Sequence, residues 1–146
     1  MRALVTGASR GIGKAIAAAL VAEGCDVVGT CRDPRRLAAA DRIEDVTYLP
    51  LDLVDPRSVE RLVKKVGAVD VLVNNAGEGQ VGPAEEARLE NVRALFEAHF
   101  FGPVRLVQAF VPGMRTRGAG VVISISSMRA EIATPFSGVY AAAKAA

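Results

Sequence analysis

The chain predicts an α/β fold: a three-layer, doubly wound parallel sheet with helices on both faces. Two observations carry this. Strand-like runs nearly continuous in apolar residues alternate with segments of helical period, the pattern of strands buried on both faces. A glycine-rich turn, Gly7 to Gly13, joins the first run to the first helical segment. At 146 residues, without repeats, low-complexity segments or a linker, residues 1–146 form one domain.

The elements follow in order. Arg2 to Thr6 is a short strand ending at Gly7. Ile12, Ala15, Ile16, Ala19 and Leu20 then fall on one helix face, and Gly24 ends that helix. Val27 to Thr30 is a second buried strand. Asp33-Pro34 signals a helix start, with an N-cap carboxylate and proline at the first helical position. Val46 to Leu49 is a third strand. Asp55-Pro56 repeats the start signal, and Val59, Leu62, Val63 and Val66 form the stripe behind it. Val69 to Val73 is a fourth strand, interrupted by Asp70. After a loop rich in Gly and Glu, Val92, Leu95, Phe96, His99, Leu106, Val107 and Phe110 keep the helical period as far as Pro112-Gly113. Pro103 lies inside this run and predicts a kink or local defect. Val121 to Ile125 is a fifth strand, and one more helix has barely begun at the last residue.

Composition narrows the function. The chain is 51% apolar but only 5% aromatic, with 14 glycines, which favours close helix–sheet packing over an aromatic-lined face. A net charge of +2, with no basic run interleaved with aromatics, argues against a nucleic-acid partner. Arg115 and Arg117 read as cations near a helix C-terminus. Cys25 and Cys31 make no disulfide framework, and with His99 the only histidine no metal site is expected. No stretch reaches membrane-spanning length, and Met1-Arg2 runs at once into a strand, so neither a membrane anchor nor a signal peptide is expected and the location is taken as cytoplasmic.

Two motifs carry chemistry. The turn Thr6-Gly7-Ala8-Ser9-Arg10-Gly11-Ile12-Gly13 follows a strand and opens a helix. Glycine there lets the backbone approach a ligand, and the helix start offers unpaired N–H groups to a pyrophosphate. Near the other end, Tyr140-Ala141-Ala142-Ala143-Lys144 sets a phenol and an ammonium one turn apart on one helix face. A phenol exchanges protons poorly near neutral pH; a nearby cation favours its ionised form and suits it to general acid–base catalysis.

With these motifs the chain resembles the short-chain dehydrogenases/reductases, whose fold is of the Rossmann type. Its glycine loop matches their Thr-Gly-x-x-x-Gly-x-Gly. Asn74-Asn75-Ala76-Gly77 matches their Asn-Asn-Ala-Gly. Ser127, thirteen residues before Tyr140, sits where their active-site serine falls, with Ser126 its nearest rival, and Tyr140 and Lys144 match their Tyr-x-x-x-Lys. The resemblance spans Arg2 to the last residue.

The resemblance implies hydride transfer between a nicotinamide cofactor and the carbon of a small-molecule carbonyl or alcohol. It makes Tyr140 the acid–base group, Lys144 its partner and a ligand of the nicotinamide ribose, and Ser127 the group that orients the substrate oxygen. It assigns Thr6, Gly7, Ser9, Arg10, Gly11, Ile12, Gly13, Asn75, Ala76 and Gly77 to the cofactor. Asn75 would contact the adenosine ribose or stabilise the central sheet. Asp52 would bond adenine, or cap the next helix.

The cofactor's 2′ position is read at Cys31-Arg32, where Cys31 stands in place of the usual carboxylate. Arg32 with Arg10 suits a 2′-phosphate, so NADP(H) is preferred and NAD(H) possible; Asp33, the rival ribose acid, is read as an N-cap. His99 replaces the usual asparagine of a proton-relaying water. It would hold or exchange a proton itself, or pack as a core histidine with one hydrogen bond. The resemblance further implies a C-terminal part beyond this chain, with more strands, a substrate-covering loop and the rest of a homodimer or homotetramer interface. The chain is therefore expected to be part of a longer protein. The competing expectation is a non-catalytic nucleotide-binding module. An extended-type sugar-nucleotide epimerase or dehydratase is disfavoured by the glycine spacing and the length. The Arg-Asp-Pro and Phe-Phe-Gly-Pro segments look like those of relatives acting on bulky apolar, steroid- or retinoid-like substrates.

Overall fold

A computed structural model describes residues 1–132 and 134–146. The strands are β1 (Arg2–Val5), β2 (Asp26–Cys31), β3 (Val46–Pro50), β4 (Val71–Asn74) and β5 (Val121–Ser124). The α-helices are α1 (Gly11–Ala22), α2 (Pro56–Val66), α3 (Leu89–Phe96), α4 (Gly102–Arg117) and α5 (Gly138–Ala145). All five strands are parallel, in the order β3-β2-β1-β4-β5. This is the order of a Rossmann-type sheet from its β3 edge inward.

Alternate residues of the strands feed two cores. Leu4, Val28 and Leu72 meet Leu62 and Val66 of α2 and Leu106, Phe110 and Met114 of α4. Ala3, Val5, Val27 and Val73 meet Ala17 of α1, with Ile16, Leu20 and Val21 packed beside it. Leu4, Leu72 and Leu106 are fully buried, each burial contributing about 1.5–3 kcal/mol. The doubly wound layering expected from the alternation is therefore present. It does not extend to the sheet's edge. Val121, Val122 and Ile123 of β5 are 51%, 39% and 43% exposed, since among the described residues no strand pairs their outer edge.

Three local expectations change. The buried stripe of α1 is Gly13, Ile16, Ala17, Leu20 and Val21, while Ile12 is 62% exposed. The cause is Gly13, which must face Gly7 and Asn75 because a β-carbon there would overlap both, and this fixes the rotation of the helix. Asp33-Pro34 does not start an α-helix. Asp33 Oδ1 accepts from Arg35 N at 3.1 Å, as an N-cap should, but only the single 3₁₀ turn Pro34–Arg36 follows. Behind it no apolar stripe exists to dock a helix, and no residue of the turn is buried. Finally, α4 runs through Pro112 to Arg117 and closes on Gly118, whose φ is +70°.

The defect expected at Pro103 is one π-helical turn, Glu97–Phe101, between α3 and α4. Pro103 has no N–H for the carbonyl four residues earlier, that of His99. The Gly102 N–H bonds Glu97 O in the wider pattern, and Arg105 spans the turn to Glu97 at 2.7 Å. No described helix is long and apolar enough to cross a membrane.

Candidate active site

Strand order reverses between β1 and β4, so the loops that follow these two strands part and leave a crevice, the usual ligand position in such sheets. Thr6 joins the two loops. Its hydroxyl donates to Val73 O (3.2 Å) and accepts from Asn75 N (2.9 Å) and Ala76 N (3.0 Å). The Asn75 amide donates to Thr6 O (2.9 Å) and Gly7 O (3.3 Å). The Asn75 side chain thus ties its loop to the glycine loop, and it also lines the crevice. Thr6 is likewise a clamp, 1% exposed and away from the crevice lining.

The crevice is a groove of about 670 Å³, within the size range of small-molecule sites. Gly7, Ser9, Arg10, Gly11, Ile12 and Gly13 form one wall, and Asn75, Ala76 and Gly77 form the other. Arg32 and Asp52 close one end. Eleven of the residues expected at the cofactor thus share one cavity. Leu51, Leu53, Val54, Thr30 and Ala98 also line it; Thr30 lies in β2, Ala98 in the π-helical turn and the other three in the loop after β3, none in a motif.

The groove fits a dinucleotide in two respects. Helix α1 has no capping side chain and no acidic residue in its first turn, which leaves its leading N–H groups and positive dipole end for an anion. Arg10 and Arg32 line the groove, and neither is ion-paired among the described residues. Cys31 lies beside them, its thiol pushed up by burial. Asp33 is engaged by Arg35, whose hydrogen bonds hold its carboxyl below the ordinary value. Asp52 turns one oxygen inward to Val54 N (3.0 Å), and among the described residues the other has no partner; the cap of α2 is Asp55, as expected.

Ser127, Tyr140 and Lys144 stand outside the groove lining. Ser127 follows β5 and caps the 3₁₀ turn Met128–Ala130, its Oγ accepting from Arg129 N at 3.2 Å. Its own O–H has no acceptor among the described residues. Lys144 donates from Nζ to Ile125 O at 2.8 Å, and burial pushes its ammonium below the ordinary value. Tyr140 makes no hydrogen bond to either residue among those described. Its ring is met by one guanidinium and one imidazole: the Arg129 guanidinium carbon is 5.9 Å from its centroid, and the His99 ring meets it edge-on at 5.6 Å and 89°. The Arg129 contact had no sequence signal.

His99 is half-buried. Its Nε2 lies 2.8 Å from Glu78 O. The same nitrogen also lies 3.3 Å from Glu78 N, so the Glu78 backbone engages one end of the ring, as in a packed core histidine. Its Nδ1 is buried without a partner among the described residues.

Comparison with known proteins agrees with this fold. The family model for short chain dehydrogenase matches residues 1–146. Human retinol dehydrogenase 8 is 39% identical over 151 residues, covering 97% of this chain and 49% of that protein. A short-chain dehydrogenase from Streptomyces avermitilis superposes with a TM-score of 0.91 at 43% identity, over 99% of this chain and 55% of that one. A metagenomic short-chain oxidoreductase solved in complex with NADP gives 0.91 at 34% identity, over 99% and 69%. The chain spans about half the length of the curated relatives it matches. From its strand order, its glycine loop and the family match along its whole length, the chain belongs to the short-chain dehydrogenase family.

Proposed function

We propose that the chain is the cofactor-binding and catalytic part of an NADP(H)-dependent oxidoreductase acting on a carbonyl or secondary alcohol. Bound nicotinamide supplies or takes up the hydride. The N–H groups at the start of α1 hold the pyrophosphate. Arg10 and Arg32 grip the 2′-phosphate, and a 2′-hydroxyl in NAD(H) would leave both cations unmatched. Asp52 accepts from adenine with its free oxygen.

The observation that carries the chemical reading is the arrangement on α5. Tyr140 and Lys144 are one turn apart, and the ammonium is held by a backbone carbonyl with two further N–H donors to spare. During reduction Tyr140 gives its hydroxyl proton to the substrate oxygen, and during oxidation it takes that proton back. Ser127 donates to the same oxygen and orients it. Lys144 stabilises the phenolate and reaches the nicotinamide ribose. An apolar substrate suits the site, in keeping with the name of the retinol relative and with Phe136, Ile132 and Met128, each over 60% exposed around the Ser127–Tyr140 segment.

The test is NADPH consumption by the full-length protein over a panel of apolar ketones and aldehydes. Turnover should fall at least ~100-fold in Tyr140→Phe, the scale of a lost general acid. Equal turnover in that variant would refute the assignment. A second reading, a nucleotide-binding module without catalysis, is favoured by the groove lining, which includes none of Ser127, Tyr140 and Lys144. It predicts NADPH binding without turnover.

A further inference from the structure

Arg129 carries an inference about the substrate, one that rests on the reading of Tyr140 as the acid–base group. Its backbone N–H donates to Ser127 Oγ at 3.2 Å, which ties its place in the turn Met128–Ala130 to the serine. Its side chain lies against Tyr140, the guanidinium carbon 5.9 Å from the ring centroid, within the range of a cation–π contact. One residue thus touches both groups that would meet the substrate oxygen.

Arg129 is partly buried, and a desolvated guanidinium calls for acceptors or a counter-charge. Among the described residues no carboxylate pairs with it and none of its side-chain N–H groups has an acceptor. Glu131, the nearest acid along the chain, is exposed. Lys144 is likewise without a carboxylate among the described residues; its Nζ donates to Ile125 O. Two cations therefore flank Tyr140. The Tyr140 phenolate balances one of them, Lys144. The other suits a singly charged anion brought by the substrate, and the guanidinium fork matches a carboxylate.

The same segment sets an apolar surface beside this cation. Met128, Ile132 and Phe136 are 80%, 61% and 62% exposed. Phe136 has φ +60°, a costly conformation for a bulky residue and one that concentrates at functional sites. Its carbonyl accepts from Gly82 N at 2.8 Å, so the loop after β4 holds the strained turn in place.

We propose that the substrate is an amphiphilic oxo acid, or the hydroxy acid formed from it on reduction: Arg129 grips its carboxylate a few bonds from the reacting carbon, and Met128, Ile132 and Phe136 receive its apolar body. Arg129 is thus a specificity-determining residue. A neutral ketone leaves its guanidinium unmatched once the substrate displaces water. A phosphate monoester brings a second negative charge that one guanidinium does not match.

The test uses the full-length protein with NADPH and three probes of equal carbon number: methyl hexyl ketone, α-oxooctanoate and γ-oxooctanoate. One of the acids should exceed the ketone in kcat/KM by at least ~10-fold, and that ratio should fall ~10- to 100-fold in Arg129→Gln, the scale of a lost charge-assisted hydrogen bond. Arg129→Lys keeps the charge without the fork and should restore part of the ratio. A variant that merely disturbs Tyr140 loses acid and ketone alike and leaves the ratio where it was. No preference for either acid in the unsubstituted protein, or a ratio unmoved in Arg129→Gln, overturns the proposal while turnover of the ketone keeps the Tyr140 reading in place. Calorimetric titration with octanoate in the presence of NADP+ reads the anchor without chemistry. Binding should weaken at least ~10-fold in Arg129→Gln. If it does so in a protein that turns over none of the probes, the anchor stands and the acid–base reading falls. Equal octanoate binding by the two proteins overturns the anchor.

Discussion

Gly77 and His99 are packed so closely that a β-carbon on Gly77 would overlap the imidazole. The contact joins the wall of the groove to the ring that meets Tyr140 edge-on. Gly77→Ala must move one or the other. We expect a loss of about 1–3 kcal/mol, the usual scale for overpacking, and a changed His99 ring signal. Thermal unfolding together with ring-nitrogen NMR checks both, and an unperturbed ring would show that the loop, not the imidazole, gives way.

Thr6 is expected to matter for stability more than for contact with a ligand. Its hydroxyl satisfies two loop N–H groups, those of Asn75 and Ala76, from a buried position. Thr6→Val keeps the shape and orphans both donors. At about 1–3 kcal/mol for each unsatisfied group, the substitution should cost at least ~2 kcal/mol in urea unfolding, whereas Thr6→Ser should recover most of it. Equal stability of the Val and Ser variants would refute the clamp.

The contrast between Thr6 and Asp33 shows what was legible in the sequence. The glycine loop could be read because its turn depends on backbone freedom and close approach, which few residue types permit. The five strands could be read because burial on both faces demands continuous apolar runs. Asp33-Pro34 carries a correct capping signal, yet a cap starts a helix without sustaining one. The stripe that would sustain it is absent from Arg35 to Ala40. Ile12 misled because helix periodicity leaves rotation free, and the rotation was set by Gly13 against Asn75, a contact between residues far apart in the chain. Pro103 announced a defect but not its form as a π-helical turn. The stacking of Arg129 and His99 about Tyr140 depends on tertiary contacts that no local pattern encodes.

Arg32 and Arg10 should set cofactor preference. Both line the groove and neither is ion-paired among the described residues, so a 2′-phosphate would meet two uncommitted guanidinium groups. A charge-assisted hydrogen bond contributes about 1.5–3 kcal/mol. Arg32→Ala should therefore weaken NADPH binding by roughly 10- to 100-fold and leave NADH binding little changed. Calorimetric titration with both cofactors decides it. Parallel losses for the two would place Arg32 against the adenine or the pyrophosphate instead.

Stability should decline on mild acidification because of His99. Its folded-state pKa lies below the ordinary 6.5, with burial the largest cause. As pH falls through 6.5, the unfolded chain binds the proton first, and unfolding is favoured. The contribution of the neutral ring is thus fully present above about pH 6.5 and is lost as pH falls through the lower folded-state value. Asp33, also lowered, acts in a separate window below its ordinary 3.8. Lys144 acts at the alkaline end: its lowered pKa means that stability rises as pH approaches 10.5. Urea midpoints at about pH 7.5 and about pH 5 should therefore differ in the unsubstituted chain and differ less in His99→Asn. An equal drop in the two proteins would assign the acid sensitivity to carboxylates and leave His99 without a part in it.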